Sequence, residues 1–317
     1  MGVFNAWITL IKELGPMSDV SKRFETVNRF LVLQNLAKTK LFDVLKNPKT
    51  YKEIIEETGF IDSRYLKGLL TTLVNDKEKV LLFDNQAHTF LYNPDFKIPQ
   101  LKDVIEKSDL EKIYNAAIVS RNFASNIGQR LLGKKIDIVE EINEIGPGLF
   151  DYDEALSNKL YSALRNTTFS YTPPKKIPGT LMLDLGCGSG RETAELFIHF
   201  NGKVKIIAVD PVTSFIAIAD RLFLEILSDA AKLVKNDRIP ELTKDNKPEF
   251  HVMRAEKLAF PDEHFDIIFF QQILHWTTNP QKAIMEIGRV LKKGGMIVGN
   301  QGTLPTQTPY MQLNIKV

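Results

Sequence analysis

The run Asp184-Leu185-Gly186-Cys187-Gly188-Ser189-Gly190 concentrates more chemical possibility than any other stretch of this sequence. Glycine at alternate positions permits backbone conformations that other residues avoid, and it lets the main chain approach a ligand that a Cβ would exclude. Leu181-Met182-Leu183 reads as a buried strand, and Arg191-Glu192-Thr193-Ala194-Glu195-Leu196 as the start of a helix, so the glycines fall on a strand-to-helix turn. Arg191 stands where the fingerprint G-x-G-x-x-G takes its third glycine, and the lysine of a P-loop is missing. The loop therefore suits a nucleoside better than a pyrophosphate. A second strand, Val204 to Val209, ends in Asp210 with Pro211 beside it, twenty residues beyond Gly190. An acid at that place can accept both hydroxyls of a ribose.

A later strand, Phe265 to Phe270, delivers Gln271, Gln272, Leu274, His275 and Trp276 to the carboxyl edge of the sheet. Ligands collect at that edge in doubly wound folds. His275 has two readings. One is a general base that draws a proton from the acceptor, for which a reference pKa near neutrality is suitable; the other is a positioning or purely structural histidine. Trp276 reads as packing or as a cover over the ligand. Tyr152, Tyr161 and Tyr171 precede the first strand and are candidates for lining a substrate pocket, with core packing as the competing reading. His199 and His251 lack partners at metal-ligand spacing, and the single cysteine, Cys187, fits no zinc pattern, so no metal site is expected.

Four blocks together resemble the class I S-adenosylmethionine-dependent methyltransferases, from about Ile177 onward. They are Asp184 to Gly190, Ala208-Val209-Asp210, Ala255-Glu256-Lys257-Leu258-Ala259-Phe260-Pro261-Asp262-Glu263-His264-Phe265-Asp266, and Leu291-Lys292-Lys293-Gly294-Gly295. The resemblance implies S-adenosyl-L-methionine as cofactor. Asp184, Gly186, Cys187, Gly188 and Gly190 would hold its methionine end, Asp210 and Pro211 its ribose side, and Ala255 and Glu256 would lie beside the adenine, with Gln271 also in the cofactor-binding set. Arg254 departs from the pattern, since many relatives place an acid there to accept the adenine amine; Glu256 or a backbone carbonyl is left to do so. Leu274-His275 is similar to the site of the catalytic histidine in small-molecule O-methyltransferases. The implied activity is methyl transfer to a small-molecule acceptor, with oxygen favoured and nitrogen or carbon open. The alternative is a non-enzymatic DNA-binding regulator or scaffold that retains a cofactor-binding fold.

These residues need elements to hold them. Beyond Pro173-Pro174 strands alternate with helices, the mark of a parallel sheet with crossover helices. The expected fold class is α/β, a Rossmann-like methyltransferase sheet shortened at its C-terminal edge, preceded by a mainly helical domain. In that N-terminal region Phe24, Val27 and Leu31 recur at helical spacing, Thr50 to Thr58 reads as a helix stopped by Gly59, and Asp62 or Ser63 caps another helix through Val74. Two short β-rich runs, Val80 to Phe83 and Thr89 to Tyr92, flank Asp84-Asn85-Gln86-Ala87. Leu41 to Asn93 is thereby similar to the winged-helix dimerisation domain of small-molecule O-methyltransferases. Its second helix offers only Arg64 and Lys67 as cations, a poor footprint for DNA. The expected boundaries are 1–100 for the winged-helix domain, 101–175 for a helical connector that lines the substrate, and 176–317 for the cofactor-binding domain.

Charge and composition bound the partners. The 317 residues carry 41 Lys+Arg against 39 Asp+Glu, a net charge of +2 that argues against a whole-chain nucleic-acid binder. No apolar stretch approaches the roughly 20 residues that cross a bilayer, the N-terminus lacks a basic leader, and Gly2 is followed by Ala6 where a myristoylation signal takes Ser or Thr. A cytoplasmic, reduced setting without membrane attachment is expected. The apolar load from Val20 to Leu45 predicts a homodimer, and the alternation of Met311, Leu313, Ile315 and Val317 predicts a final strand pairing antiparallel beside Met296 to Gly299.

Overall fold

The computed structural model describes residues 3–14, 17–105, 110, 114, 117–145, 159–171, 179–234, 239–301 and 309–310. They pack as two compact units, one formed by the described residues of Ser18–Asp137 and Leu304–Val317, the other by those of Met1–Met17 and Ile138–Thr303. The seams thus fall at other places than 100 and 175. Helix α1 (Val3–Leu14) belongs to the second unit, where Ala6 is buried and its carbonyl accepts the Thr167 hydroxyl at 3.3 Å.

The first unit opens with α2 (Met17–Leu36) and α3 (Leu41–Val44), followed by β1 (Lys49–Thr50), α4 (Tyr51–Thr58), α5 (Arg64–Val74), β2 (Leu81–Asp84) and β3 (Thr89–Tyr92). Local chemistry sets these limits. Thr50 and Glu53 form a reciprocal capping box at the start of α4, and Gly59 ends it with φ +74°. The Ser63 side chain accepts the Leu66 N–H and so starts α5. Strands β2 and β3 pair antiparallel and β1 joins β3, giving the order β1-β3-β2. Short helices α6 (Leu101–Ile105), α7 (Ile118–Ser125) and α8 (Ile127–Leu131) complete the unit. Val27, Leu31, Leu36, Leu41 and Leu45 are all buried in its core with Leu66, Leu69 and Leu73. One chain already hides this apolar load, so the load by itself does not call for a second copy.

The second unit contains α9 (Ile138–Ile145), α10 (Lys159–Phe169), β4 (Leu181–Leu185), α11 (Arg191–His199), β5 (Lys205–Asp210), α12 (Thr213–Leu233), β6 (Glu249–Val252), β7 (Phe265–Gln271), α13 (Pro280–Val290) and β8 (Leu291–Asn300). The strands form one parallel sheet in the order β6-β5-β4-β7-β8. Alternation along each strand serves two cores. Met182, Ile206 and Phe269 pack with Phe197, Phe223 and Leu227 of the helices on one face, while Leu183, Ile207 and Ile268 pack with Ala283, Ile287 and Val290 on the other. From β4 the chain winds outward through β5 to β6, then returns to place β7 on the other side of β4. In such sheets the usual ligand position is beyond the carboxyl ends of the strands where the order reverses, here at the end of β4. Among the described residues β8 forms the edge; the strand expected at Met311 to Val317 lies outside them. No helix among the described residues is long and apolar enough to cross a membrane.

Candidate functional site

The glycine loop leaves β4 at Asp184 and is stitched to the end of β5: the Gly186 and Cys187 N–H groups both donate to the Val209 carbonyl, at 2.7 and 3.1 Å. Gly186, Gly188 and Gly190 all take positive φ, at +82°, +53° and +90°. Two of them also answer a steric demand. A Cβ on Gly186 would stand 2.3 Å from Ile273 Cγ2, and one on Gly190 would stand 3.0 Å from Ala219 Cβ. At Gly188 the same direction is open space. Cys187 is buried against Ala208 and Ile216, burial pushes its thiol pKa well up, and its Sγ lies 3.6 Å from the Gly188 carbonyl of the loop.

Two acidic centres flank this turn. Asp210 is buried and spends one oxygen on the Gly188 N–H at 3.0 Å and the other on the Val212 N–H at 2.8 Å. Burial pushes its pKa up to about 6 despite those donors. Two of its four lone-pair sites remain for hydroxyl donors. Pro211 is half-buried in the bend that follows. Asp184, with no exposed surface, accepts the Thr193 hydroxyl at 2.5 Å and lies against Glu192. Burial and the Asp184 charge hold Glu192 well above the ordinary carboxylate range. Arg165 from α10 pairs with Glu195 beside them at 2.6 Å, one cation among three carboxyl groups.

The β7 edge carries the remaining candidates. Gln271 ends β7 with its side-chain oxygen buried and unbonded. Gln272 takes φ +55°, rare for a non-glycine residue, held there by bonds from its backbone and side-chain nitrogens to the Asn300 backbone and side-chain oxygens at 2.9 and 2.7 Å. The chain then drops Ile273 onto Gly186 and enters a 3₁₀ turn, Leu274–Trp276, that carries His275. Gln301 bonds both the Leu274 N–H and His275 Nδ1, each at 2.9 Å. Burial lowers the His275 pKa below the ordinary imidazole value. Trp276 stacks obliquely against His275 with ring centroids 4.8 Å apart.

Some of the expected residues bond to other parts of the chain. Glu256 is buried, and its Oε1 accepts the Thr278 N–H at 2.7 Å, the Thr278 hydroxyl at 2.9 Å and the Asn279 N–H at 3.2 Å. It holds the entry to α13. Ala255 is buried in the sheet's second core, and Arg254 forms an isolated bridge with Lys257. The exposed Tyr171 accepts the Trp7 indole N–H at 2.9 Å. Tyr161, half-buried on α10, has its pKa raised by burial, and Tyr152 lies outside the described residues. Among the described residues no group of three or more His, Cys, Asp or Glu is placed to hold a metal ion. Sequence reasoning missed Ile273, Glu192, Thr193, Arg165 and Gln301, whose places depend on contacts between distant segments.

The donor set fits S-adenosylmethionine. Asp210 offers acceptors to ribose hydroxyls, the Asp184–Glu192 pair offers them to an ammonium group, Gln271 supplies a buried unbonded oxygen, and Gly188 opens onto free space. A pyrophosphate would meet carboxylates instead of cations.

Sheet order and site define an α/β Rossmann-like methyltransferase fold, and residues 183–299 match the methyltransferase domain family. Among curated proteins the chain is similar to an uncharacterized methyltransferase of Schizosaccharomyces pombe, 29% identical over 129 residues, covering 41% of this chain and 42% of that protein. It is also similar to the ubiquinone/menaquinone biosynthesis C-methyltransferase UbiE of Vibrio vulnificus, 28% identical over 136 residues, covering 43% of this chain and 46% of that protein. The matches thus span less than half the length of these relatives. Two solved structures share the fold over nearly the whole chain. The citrinin polyketide synthase CMeT domain is 13% identical with a TM-score of 0.61, covering 98% of this chain and 80% of that one. The CurJ carbon methyltransferase is 15% identical with a TM-score of 0.59, covering 96% and 78%.

Proposed function

We propose that this chain transfers the methyl group of S-adenosylmethionine to a small-molecule acceptor. The observation that carries the reading is the pairing of two acidic centres, Asp184–Glu192 and Asp210, across a glycine turn at the point where the sheet order reverses. When bound, the cofactor supplies an electrophilic methyl on a sulfonium sulfur. Asp210 receives the ribose hydroxyls, and Asp184 with Glu192 receives the ammonium of the methionine end. The glycine backbone sets the approach distance, and the Gln271 side-chain oxygen accepts a further donor. The site then works chiefly by holding donor and acceptor in near-attack geometry.

Oxygen, nitrogen and carbon all belong to the acceptor classes considered. The UbiE relative is a C-methyltransferase and CurJ a carbon methyltransferase, which supports carbon beside oxygen as the acceptor atom. A duplex-binding role gains no support, because Lys67 on α5 is tied to Asp62 at 3.0 Å. Calorimetry of the purified chain with S-adenosylmethionine and S-adenosylhomocysteine tests the reading. Binding of both, lost in Asp210→Ala, is the expected result; binding of neither defeats it.

A further inference from the structure

We propose that Gln301 fixes His275 as an Nε2–H hydrogen-bond donor to an oxygen of the acceptor, which rules His275 out as the base. The inference rests on the methyl-transfer reading above, which it makes more specific.

The argument begins at the backbone. The Leu274 N–H can only donate, so the Gln301 atom 2.9 Å away is its oxygen. The nitrogen of the same planar amide then faces His275 Nδ1 at 2.9 Å, and an amide nitrogen can also only donate. Nδ1 must be the acceptor. A neutral imidazole has one proton, which therefore sits on Nε2. An Nδ1–H ring would set two N–H groups face to face unless the amide turned over, and turning it would strand the Leu274 N–H. Burial, which disfavours the charged ring, acts in the same direction. Among the described residues Nε2 makes no hydrogen bond of its own, so its proton is available to a ligand.

This tautomer decides what His275 does. Its lone pair points at Gln301, and Nε2 already carries a proton, so the ring cannot take one from a hydroxyl there. It can donate to an oxygen that bears negative charge. In the transfer step the acceptor's carbon or oxygen nucleophile bonds to the methyl carbon, the methyl–sulfur bond breaks, and its electron pair stays on sulfur. His275 takes no proton in that step and keeps its own on Nε2. Gln301 is a positioning residue that acts through His275, and the general-base role expected for His275 gives way to a donor role.

Long-range proton–nitrogen NMR correlation of the full chain with ¹⁵N-labelled histidine tests the tautomer without any turnover. The parent is expected to show His275 protonated at Nε2. Gln301→Glu, which keeps an acceptor for Leu274 but presents a second carboxylate oxygen to Nδ1, is expected to move the proton to Nδ1. A parent ring protonated at Nδ1 or at both nitrogens overturns the proposal. Activity supplies a second arm. His275→Gln places an amide N–H near the Nε2 position and is expected to stay within about tenfold of the parent, while His275→Ala loses about 10²–10³-fold, as for other removed donors. Equal loss in both variants restores the general base and overturns the donor role. Failure of S-adenosylhomocysteine to bind would instead defeat the methyl-transfer reading and leave the NMR result on Gln301 standing.

Discussion

The carboxylate of Asp210 holds the backbone N–H of Gly188 at 3.0 Å, so the acid at the end of β5 is part of the structure of the glycine loop as well as a candidate ligand for ribose. One side chain thus joins the two blocks from which a cofactor site was expected. The arrangement has an electrostatic cost, because burial makes the charged form harder to keep.

That cost predicts pH-linked binding. Asp210 has its pKa raised to about 6 in the folded chain, so it takes up a proton as pH falls through that value. Folding stability carried by this group therefore falls as pH rises from its unfolded-state pKa towards 6, and the loss is complete above 6. Ribose hydroxyls need the carboxylate. Affinity for S-adenosylhomocysteine should be level above pH 7 and weaken by roughly tenfold between pH 6.5 and 5, one proton per site. Calorimetry across that range checks it, and a flat profile in the parent would separate Asp210 from ligand binding.

Gly186→Ala tests the steric half of the loop. The new Cβ would stand 2.3 Å from Ile273 Cγ2 on a backbone at φ +82°, so Ile273 must leave its place or the loop must unwind. Strain of both kinds is expected to cost about 2–4 kcal/mol and to remove cofactor binding. Gly188→Ala meets open space and should cost less, through φ alone. Thermal unfolding of the two variants side by side is the measurement. Equal destabilisation would mean that Ile273 does not pack there.

Much of this site was legible because its signals are local. Glycine spacing, the apolar runs of β4 and β5 and the acid at the strand end each fall within a few residues, and the structure joins them through Val209 and Gly188. Glu256 shows the limit. Its residue type and place suggested adenine, and the structure adds a second task, since one of its two oxygens accepts from Thr278 and Asn279, more than twenty residues away in sequence. Gln301 and Arg165 were invisible for the same reason, since a polar residue's partner across the sheet leaves no trace in its own neighbours. Helix α1 misled the domain boundary because its pattern shows an apolar face without naming the unit that face packs on.

Glu256→Gln separates the structural reading from the ligand reading. Glutamine keeps one oxygen for Thr278 and Asn279, so stability should drop by no more than about 1 kcal/mol and cofactor affinity should stay within a few-fold. Glu256→Ala removes the acceptor and leaves the N–H groups of the exposed Thr278 and Asn279 to water, at about 1 kcal/mol. A loss of cofactor affinity larger than tenfold in Glu256→Gln, with stability unchanged, would return the carboxylate to the adenine.

Arg165 is the last case, and its effect reaches the site through charge. Its guanidinium is buried, pairs with Glu195 at 2.6 Å and lowers the pKa of both Asp184 and Glu192. Arg165→Leu fills similar space but leaves three buried carboxyl groups without their cation. Removing one partner of a buried pair typically costs about 3–5 kcal/mol, because the other charge stays buried and uncompensated. The cost should be greatest near pH 8 and smaller near pH 5, where Asp184, its pKa raised by burial to about 6, takes up a proton and the uncompensated charge shrinks. Urea unfolding at both pH values reads the difference. The double variant Arg165→Leu/Glu195→Leu, which removes the pair together, should recover most of the loss at pH 8; a double variant no more stable than Arg165→Leu would show that the cation acts through Asp184 and Glu192 instead of through Glu195.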